Sequence, residues 1–339
     1  MLIKEKVFGA GGFFLCLILL GYFFYLLQPA SGEAEEKTII IYQGTGLAEI
    51  ADQLYSSGLI RSKNAFKIYT FISGQAARLK PGKYNFVENL SVPTIAEILA
   101  AGPQEISVTI VPGATIKEIG DKLNDLGIIE KNALVNFDFK PLKEKYGFLD
   151  KAIILEGFLL PDTYYFLPDS KPETVIKKIL DNFREKVLSL LSTANPQSGL
   201  TNSGDLLRLL NLASLLEKEV PFDDERQIVA GILEKRLKAG MPLQVDATIV
   251  YIKCAGKFLN CPPLKEEDYK IKSAYNTYLY PELPPTPVSN PGLDAIKAAF
   301  TPIKSDYWYY LSDPKTKRTI FSKTLDEHNQ NRFKYLLNK

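Results

Sequence analysis

Asp205-Leu-Leu-Arg-Leu-Leu-Asn-Leu-Ala-Ser-Leu-Leu-Glu-Lys-Glu-Val220 is the stretch on which the reading of this chain turns. Its composition predicts a helix, because Leu, Ala, Lys and Glu are strong helix formers and neither Gly nor Pro interrupts the run. Ser203 and Asp205 offer side-chain oxygens to the first free amides. Pro221 ends the helix, since a residue before proline avoids the α region. Apolar residues fill most of one face, and two carboxylates, Glu217 and Glu219, arrive in the last turn. A helix C-terminus carries partial negative charge and disfavours an ionised carboxylate. Apolar surroundings act in the same direction. A glutamate held there stays protonated near neutral pH and can serve as a general acid. The plainer reading is a solvated helix end, since Glu is seldom buried. A helical wheel puts Glu217 inside the apolar arc and Glu219 at its edge, and so close to a proline it does not choose between them.

Around this helix, 339 residues leave room for two or three domains. With 46% hydrophobic and 24% charged residues the chain can build real cores. The formal net charge is +2 and the basic residues are spread out, which argues against a nucleic-acid partner. One histidine, His328, and three cysteines leave no ordinary zinc site, so no metal is expected. Any Ser-His-Asp or Cys-His arrangement would have to use His328.

Working towards the N-terminus, residues 7–27 are uncharged and almost wholly apolar. At about 1.5 Å per residue such a run crosses a hydrocarbon core of roughly 30 Å. Tyr22 and Tyr25 suit a membrane interface. Lys4 and Lys6 precede the run and Glu33, Glu35 and Glu36 follow it, which places the N-terminus in the cytoplasm. The expected order is a cytoplasmic tail (1–6), a single transmembrane helix (7–27) and a linker (28–37). A cleaved signal peptide is the rival, but its apolar core would be shorter. Residues 38–150 contain an internal repeat, 44–60 and 113–129. Glu49, Ile50, Asp52, Leu54, Gly58 and Ile60 recur as Glu118, Ile119, Asp121, Leu123, Gly127 and Ile129. Each copy follows a β-branched strand and reads as a short amphipathic helix closed by Gly. The copies resemble LysM domains, which bind the N-acetylglucosamine chains of cell walls; a structural spacer is the equal alternative.

The remaining domain, 151–339, is read as mixed α+β. Leu155 to Phe166 has strand composition broken at Pro161-Asp162, and Asp223 to Lys238 is helical. Pro242 to Tyr251 is extended, then apolar. Cys254 and Cys261 lie close together, and in an oxidising compartment they are expected to form a disulfide. The proline-rich Leu283 to Gly292 is stiff, which suits either a cleft wall or a rigid connector. Tyr307 to Leu311 reads as an aromatic strand, and Thr324 and Glu327 have capping-box spacing before a last helix.

Taken together, these motifs resemble the MltG/YceG-like family of endolytic murein transglycosylases. The residues that carry the resemblance are Glu156 to Tyr164, Ala213 to Glu219, Leu243 to Thr248, Tyr275 to Tyr278, Leu283 to Gly292 and Glu327 to Asn329. The chain departs from the family pattern at Val245 and Ala247, where Ser/Thr and Pro are usual. It departs again at Thr286, which replaces a Gly, and at Thr319, where a His is common. The resemblance implies that the second glutamate of Glu-Lys-Glu, Glu219, is catalytic. It implies a carbon–oxygen lyase that cleaves the β-1,4 bond between N-acetylmuramic acid and N-acetylglucosamine within peptidoglycan strands. No water is added, no cofactor is needed, and a 1,6-anhydro end results. On this reading Glu156, Asp162, Gln244, Asp246, Asn276, Glu327, His328 and Asn329 are candidates for the cleft, each with a structural role as the alternative. The catalytic domain would face the cell wall from a single-pass anchor in the cell membrane, with peptidoglycan synthases as family-implied partners. Two alternatives stay open. One is a muramidase with Asp162 or Asp246 as second carboxylate. The other is a non-catalytic wall-binding scaffold.

Overall fold

The structure, a computed structural model, describes residues 15–31, 35–194 and 202–337. Its contacts divide the chain into two compact units, Met1–Glu105 and Ile106–Lys339, both mixed α and β. The division falls at residue 105, so the two copies of the repeat lie in different units.

In the first unit a helix at residues 15–26 (α1) precedes β1 (Glu36–Ile41), α2 (Leu47–Ser56), α3 (Lys63–Ile72), β2 (Gly82–Val87) and α4 (Val92–Ala101). β1 and β2 pair antiparallel, with Ile39 opposite Tyr84 and Ile41 opposite Gly82. Strand side chains alternate between faces. Ile39, Ile41, Tyr84 and Phe86 therefore turn inward, onto Ile50, Leu54, Phe66, Ile95 and Leu99 of the helices. α1 is part of this unit: Leu27 is buried in the same core, and the Arg61 guanidinium lies 4.5 Å from the centre of the Tyr25 ring. The expected membrane span is not found in the structure. Among the described residues no helix is long and apolar enough to cross a membrane. Residues 7–14 of the expected span lie outside the described residues.

The second unit runs β3 (Ile106–Thr109), α5 (Ile116–Asp125), β4 (Thr163–Phe166), α6 (Pro172–Phe183) and, after a π-helical turn, α7 (Ser189–Ala194). It continues with α8 (Ser203–Glu219), α9 (Asp223–Lys238), α10 (Asp246–Lys253), α11 (Leu293–Phe300), β5 (Tyr309–Ser312), β6 (Thr319–Ser322) and α12 (Leu325–Arg332). β3 pairs with β4 and β5 with β6, both antiparallel. The repeat is visible in the backbone. α2 and α5 occupy equivalent positions in it, and each is followed by a glycine at positive φ, Gly58 at 76° and Gly127 at 67°, the conformation glycine adopts without strain. α5 starts with a full capping box, Thr115 and Glu118. In β4 the strand begins only after Pro161-Asp162, with Asp162 accepting from the Thr163 amide.

α8 is the centre of this unit. Every residue from Leu209 to Leu216 is buried, so the helix is enclosed on all sides rather than along one face. α9, α10 and α11 pack against it. Two of its polar members bond inside the core: Asn211 Nδ2 donates to the Pro284 carbonyl, and the Ser214 hydroxyl accepts from the Val288 amide at 3.1 Å. The cap differs from the expected one. Asn202 sits at the N-cap and its Oδ1 accepts from the Gly204 and Asp205 amides. The C-terminus ends as expected, with Val220 extended (φ −124°, ψ 102°) before Pro221. The proline-rich stretch is a rigid connector through the core: Val288, Ser289 and Asn290 are fully buried. The apolar Ala247 to Tyr251 is helical, within α10, despite its β-branched residues.

Candidate active site

Successive residues of an α-helix point about 100° apart. The last turn of α8 therefore sends Glu217, Lys218 and Glu219 in three directions. Glu217 is a structural ion: it meets Arg226 Nη2 at 3.2 Å and accepts from the Gly292 amide at 2.8 Å. Lys218 lies over the Phe258 ring, 3.6 Å from its centre. Glu219 faces a cleft of about 610 Å³.

That cleft is lined by Glu219, Gln244, Asp246, Tyr269, Tyr278 and Tyr310, among others. Arg236, Tyr309, His328, Asn329 and Arg332 also line it. Glu219 keeps partial exposure into it while protein closely surrounds its carboxyl. Burial pushes its pKa up, the Asp246 charge adds to this, and the Ala247 amide offsets part of it, leaving the group at about 7. That amide donates to Glu219 Oε1 at 3.4 Å. It exists because the chain has Ala rather than Pro at 247, and proline has no N–H. Ala247 is in the first turn of α10, where proline is tolerated. Ala247→Pro is therefore expected to raise the Glu219 pKa by less than about one unit, with little loss of fold. A titration of Glu219 by carbon-13 NMR in both forms will read this; a fall or no change would refute it.

The remaining candidates divide between the cleft and the framework behind it. Gln244 belongs to the cleft. It adopts φ 57°, costly for a residue other than glycine. It is held there by the bond from its amide to the Thr277 carbonyl (3.0 Å) and by Arg236 Nη2 donating to its Oε1 (2.8 Å). Asp246 accepts from the Tyr278 hydroxyl, whose ring meets Tyr269 edge-on at 4.7 Å. Asn276 is buried behind the wall. It donates to the Tyr269 and Ile271 carbonyls and accepts from the Tyr278 amide, so it shapes the loop that carries Tyr278. Thr277 clips the same loop to α10 through the Val245 amide at 3.0 Å.

Glu156 and Asp162 are not brought to Glu219. Glu156 is fully buried, and its Oε1 accepts from the Ile116 amide at the start of α5 (2.9 Å) and from Asn290 Nδ2 (2.7 Å). Burial raises its pKa to about 8 against the lowering effect of the Ile116 amide and the Tyr251 hydroxyl. Asp162 accepts from Asn182 and pairs with Lys186 outside the cleft; despite some burial, these donors hold its pKa below the usual value. Glu327 is spent at the start of α12: its amide donates to the Thr324 hydroxyl at the N-cap, and its carboxylate accepts from the Lys323 amide. His328 and Asn329 reach the cleft, and the His328 ring stacks on Tyr309 at 5.3 Å.

Arg236, Tyr269, Tyr309 and Tyr310 have no local signal in the sequence that marks them as cleft residues. Arg236 reads as one of three basic residues ending α9, and only packing sets it apart from Lys235 and Lys238.

Cys254 and Cys261 are joined, with Cα atoms 5.9 Å apart, and Cys16 is free. The bond closes the loop after α10, whose Phe258 and Leu259 amides donate to Glu118. A thiol titration of the denatured, unreduced protein is expected to find only Cys16; three free thiols would rule the bond out.

A carboxyl at a buried helix end, with its pKa raised to about 7 and facing a tyrosine-lined cleft, can both give and take a proton at neutral pH. The comparisons specify the class further. The sequence pattern of the YceG-like family matches residues 39–334, and the chain belongs to that family. It is similar to the endolytic murein transglycosylase of Bacillus subtilis strain 168, with 31% identity over 95% of this chain and 92% of that protein. It also resembles the endolytic murein transglycosylase of Streptococcus pneumoniae strain R6, at 28% identity, spanning 63% of that longer protein. A crystal structure of a YceG-like protein from Listeria monocytogenes superposes with a TM-score of 0.53 at 25% identity, covering 88% of this chain and 99% of that one.

Proposed function

We propose that this chain is an endolytic lytic transglycosylase of peptidoglycan and that Glu219 is its catalytic acid and base. The observation that carries the reading is the Glu219 carboxyl, facing the cleft with a pKa near 7 and able to be both proton donor and acceptor at neutral pH. Protonated Glu219 gives its proton to the glycosidic oxygen between N-acetylmuramic acid and N-acetylglucosamine, and the C1–O bond breaks. The C6 hydroxyl of the muramoyl residue attacks C1. Its proton passes to the Glu219 carboxylate, which restores the acid. One carboxyl completes the cycle, and the products are a 1,6-anhydro end and a free 4-hydroxyl. The cleft's tyrosines offer faces on which sugar rings can stack, and Gln244 and Asn329 offer amides for their hydroxyls.

A second reading is favoured by one observation. Asp246 shares the cleft with Glu219, whereas Asp162 does not, so a hydrolytic muramidase would use Asp246 to activate water. Mass spectrometry of digested strands separates the two, because a reducing end contains the water that an anhydro end lacks. Anhydro ends support the first reading; reducing ends alone overturn it.

The proposal includes a single-pass anchor at residues 7–27 and a catalytic unit that faces the cell wall. It also includes sugar binding by the LysM-like region, 38–150, and cooperation with peptidoglycan synthases. The apolar 7–27 run and the exposed apolar side chains Leu15, Leu17, Ile18, Leu19 and Leu20 support the anchor.

A further inference from the structure

Among the described residues, seven buried side-chain atoms find no hydrogen-bond partner, and three belong to residues that line the cleft: Arg236 Nε, the Tyr310 hydroxyl and His328 Nδ1. Buried polar groups are ordinarily paired, so their convergence on one cavity marks a place built for a ligand. Arg236 is the strongest of them. It is 5% exposed, and among the described residues no carboxylate pairs with it. Its one side-chain bond goes to neutral Gln244, and its other neighbour is the Tyr309 ring at 5.6 Å. A guanidinium cannot shed its charge, and an uncompensated buried charge is costly. Its planar fork matches a carboxylate. Arg332, on the same cleft, adds a second positive charge.

Resting on the transglycosylase reading, we infer that Arg236, the Tyr310 hydroxyl and His328 form a subsite for a carboxylate of the glycan strand. Of the two alternating sugars only N-acetylmuramic acid carries an acidic substituent. The carboxylate is either its free lactyl group, on a strand stripped of peptide, or a carboxylate of the stem peptide. The subsite fixes which sugar lies on each side of Glu219: muramoyl residues are held where Arg236 reaches them, and N-acetylglucosamine has nothing to offer it. Gln244, gripped by the same guanidinium, couples the subsite to the loop that leads to Asp246.

Binding to the full chain carrying Glu219→Gln tests this by calorimetry with four defined oligosaccharides. These are a peptide-free strand, the same strand with its lactyl groups as methylamides, a peptide-bearing strand and an N-acetylglucosamine tetramer. The acid strand is expected to bind roughly ten- to a hundredfold tighter than its methylamide if the lactyl group is the ligand. The peptide-bearing strand shows that advantage over the methylamide if the stem supplies the charge. Adding Arg236→Gln removes the advantage and leaves the N-acetylglucosamine tetramer unaffected; Tyr310→Phe removes part of it. Equal binding of acid, methylamide and peptide-bearing strands by Glu219→Gln itself overturns the inference, with no dependence on how the Arg236 variant folds. So does an equal loss for all ligands on Arg236→Gln, which would mean a structural arginine. The end groups made by the unaltered protein judge the transglycosylase reading separately.

Discussion

Replacing Glu219 by glutamine is expected to lower glycan cleavage by about three orders of magnitude or more while leaving strand binding intact. General acid–base catalysis contributes roughly a hundred- to ten-thousandfold, and here one group supplies both halves of the proton transfer. Glutamine keeps the shape of the side chain and its place above Asp246, but it has no proton to give and no basic oxygen to take one back. Thermal stability should hold or rise slightly, since a buried acid beside the Asp246 charge is replaced by a neutral amide. In the unaltered protein kcat/KM should fall as pH rises through about 7, because the first step needs the protonated acid and Glu219 loses its proton there. Counting chain ends by chromatography and mass spectrometry reads both effects. Cleavage by the glutamine variant at the unaltered rate would remove Glu219 from the mechanism.

The second large effect concerns stability. Glu156→Ala is expected to cost about 3–5 kcal/mol of unfolding free energy, whereas Glu156→Gln should cost less than about 1 kcal/mol. Alanine leaves the Ile116 amide and Asn290 Nδ2 without their acceptor and opens a cavity. Asn290 is a junction in its own right, since its Oδ1 accepts from the Gly157 and Leu159 amides. Losing Glu156 therefore loosens the contact between α5, the Leu155–Leu160 segment and the proline-rich connector. Glutamine reproduces the neutral acid: its oxygen accepts the same two donors, and its amide can donate to the Tyr251 hydroxyl beside Oε2.

The pH dependence has a definite sign. Burial raises the folded-state pKa of Glu156 to about 8, above its unfolded value of 4.5. Between these two values the folded chain binds a proton that the unfolded chain does not. The contribution of this group is therefore fully present below about pH 4.5 and is lost as pH rises towards 8. Urea unfolding at several pH values should show this decline in the unaltered protein and a shallower one in Glu156→Gln. Identical pH dependence in the two would show that the acid is not protonated when buried.

Glu156 and Glu219 both come from prominent sequence motifs, yet the structure gives them opposite surroundings. Glu156 heads a motif as prominent as the one that ends at Glu219, but it is turned into the core. The motif Tyr275 to Tyr278 is split in the same way: Asn276 and Thr277 brace the loop, and Tyr278 reaches the cleft. A motif tells which residues belong together in a family. It does not tell which side of the backbone each one leaves from.

The sequence alone determined the local facts: the ends of the repeat helices at Gly58 and Gly127, the end of α8 at Pro221, and the closeness of Cys254 to Cys261. Each depends on steric or hydrogen-bond chemistry within a few residues, and that chemistry is written in the residue types. Helix geometry left Glu217 and Glu219 equal, the family resemblance singled out Glu219, and only the tertiary structure gave the two their different surroundings. They are two positions apart on one helix turn, and what separates them is Arg226 and Gly292 on one side and the cleft with Asp246 on the other. It also decided the burial of α8 on all sides and the placement of Arg236. These follow from long-range packing of α9, α10, α11 and the β5–β6 hairpin, whose energies come from contacts between residues far apart in the chain.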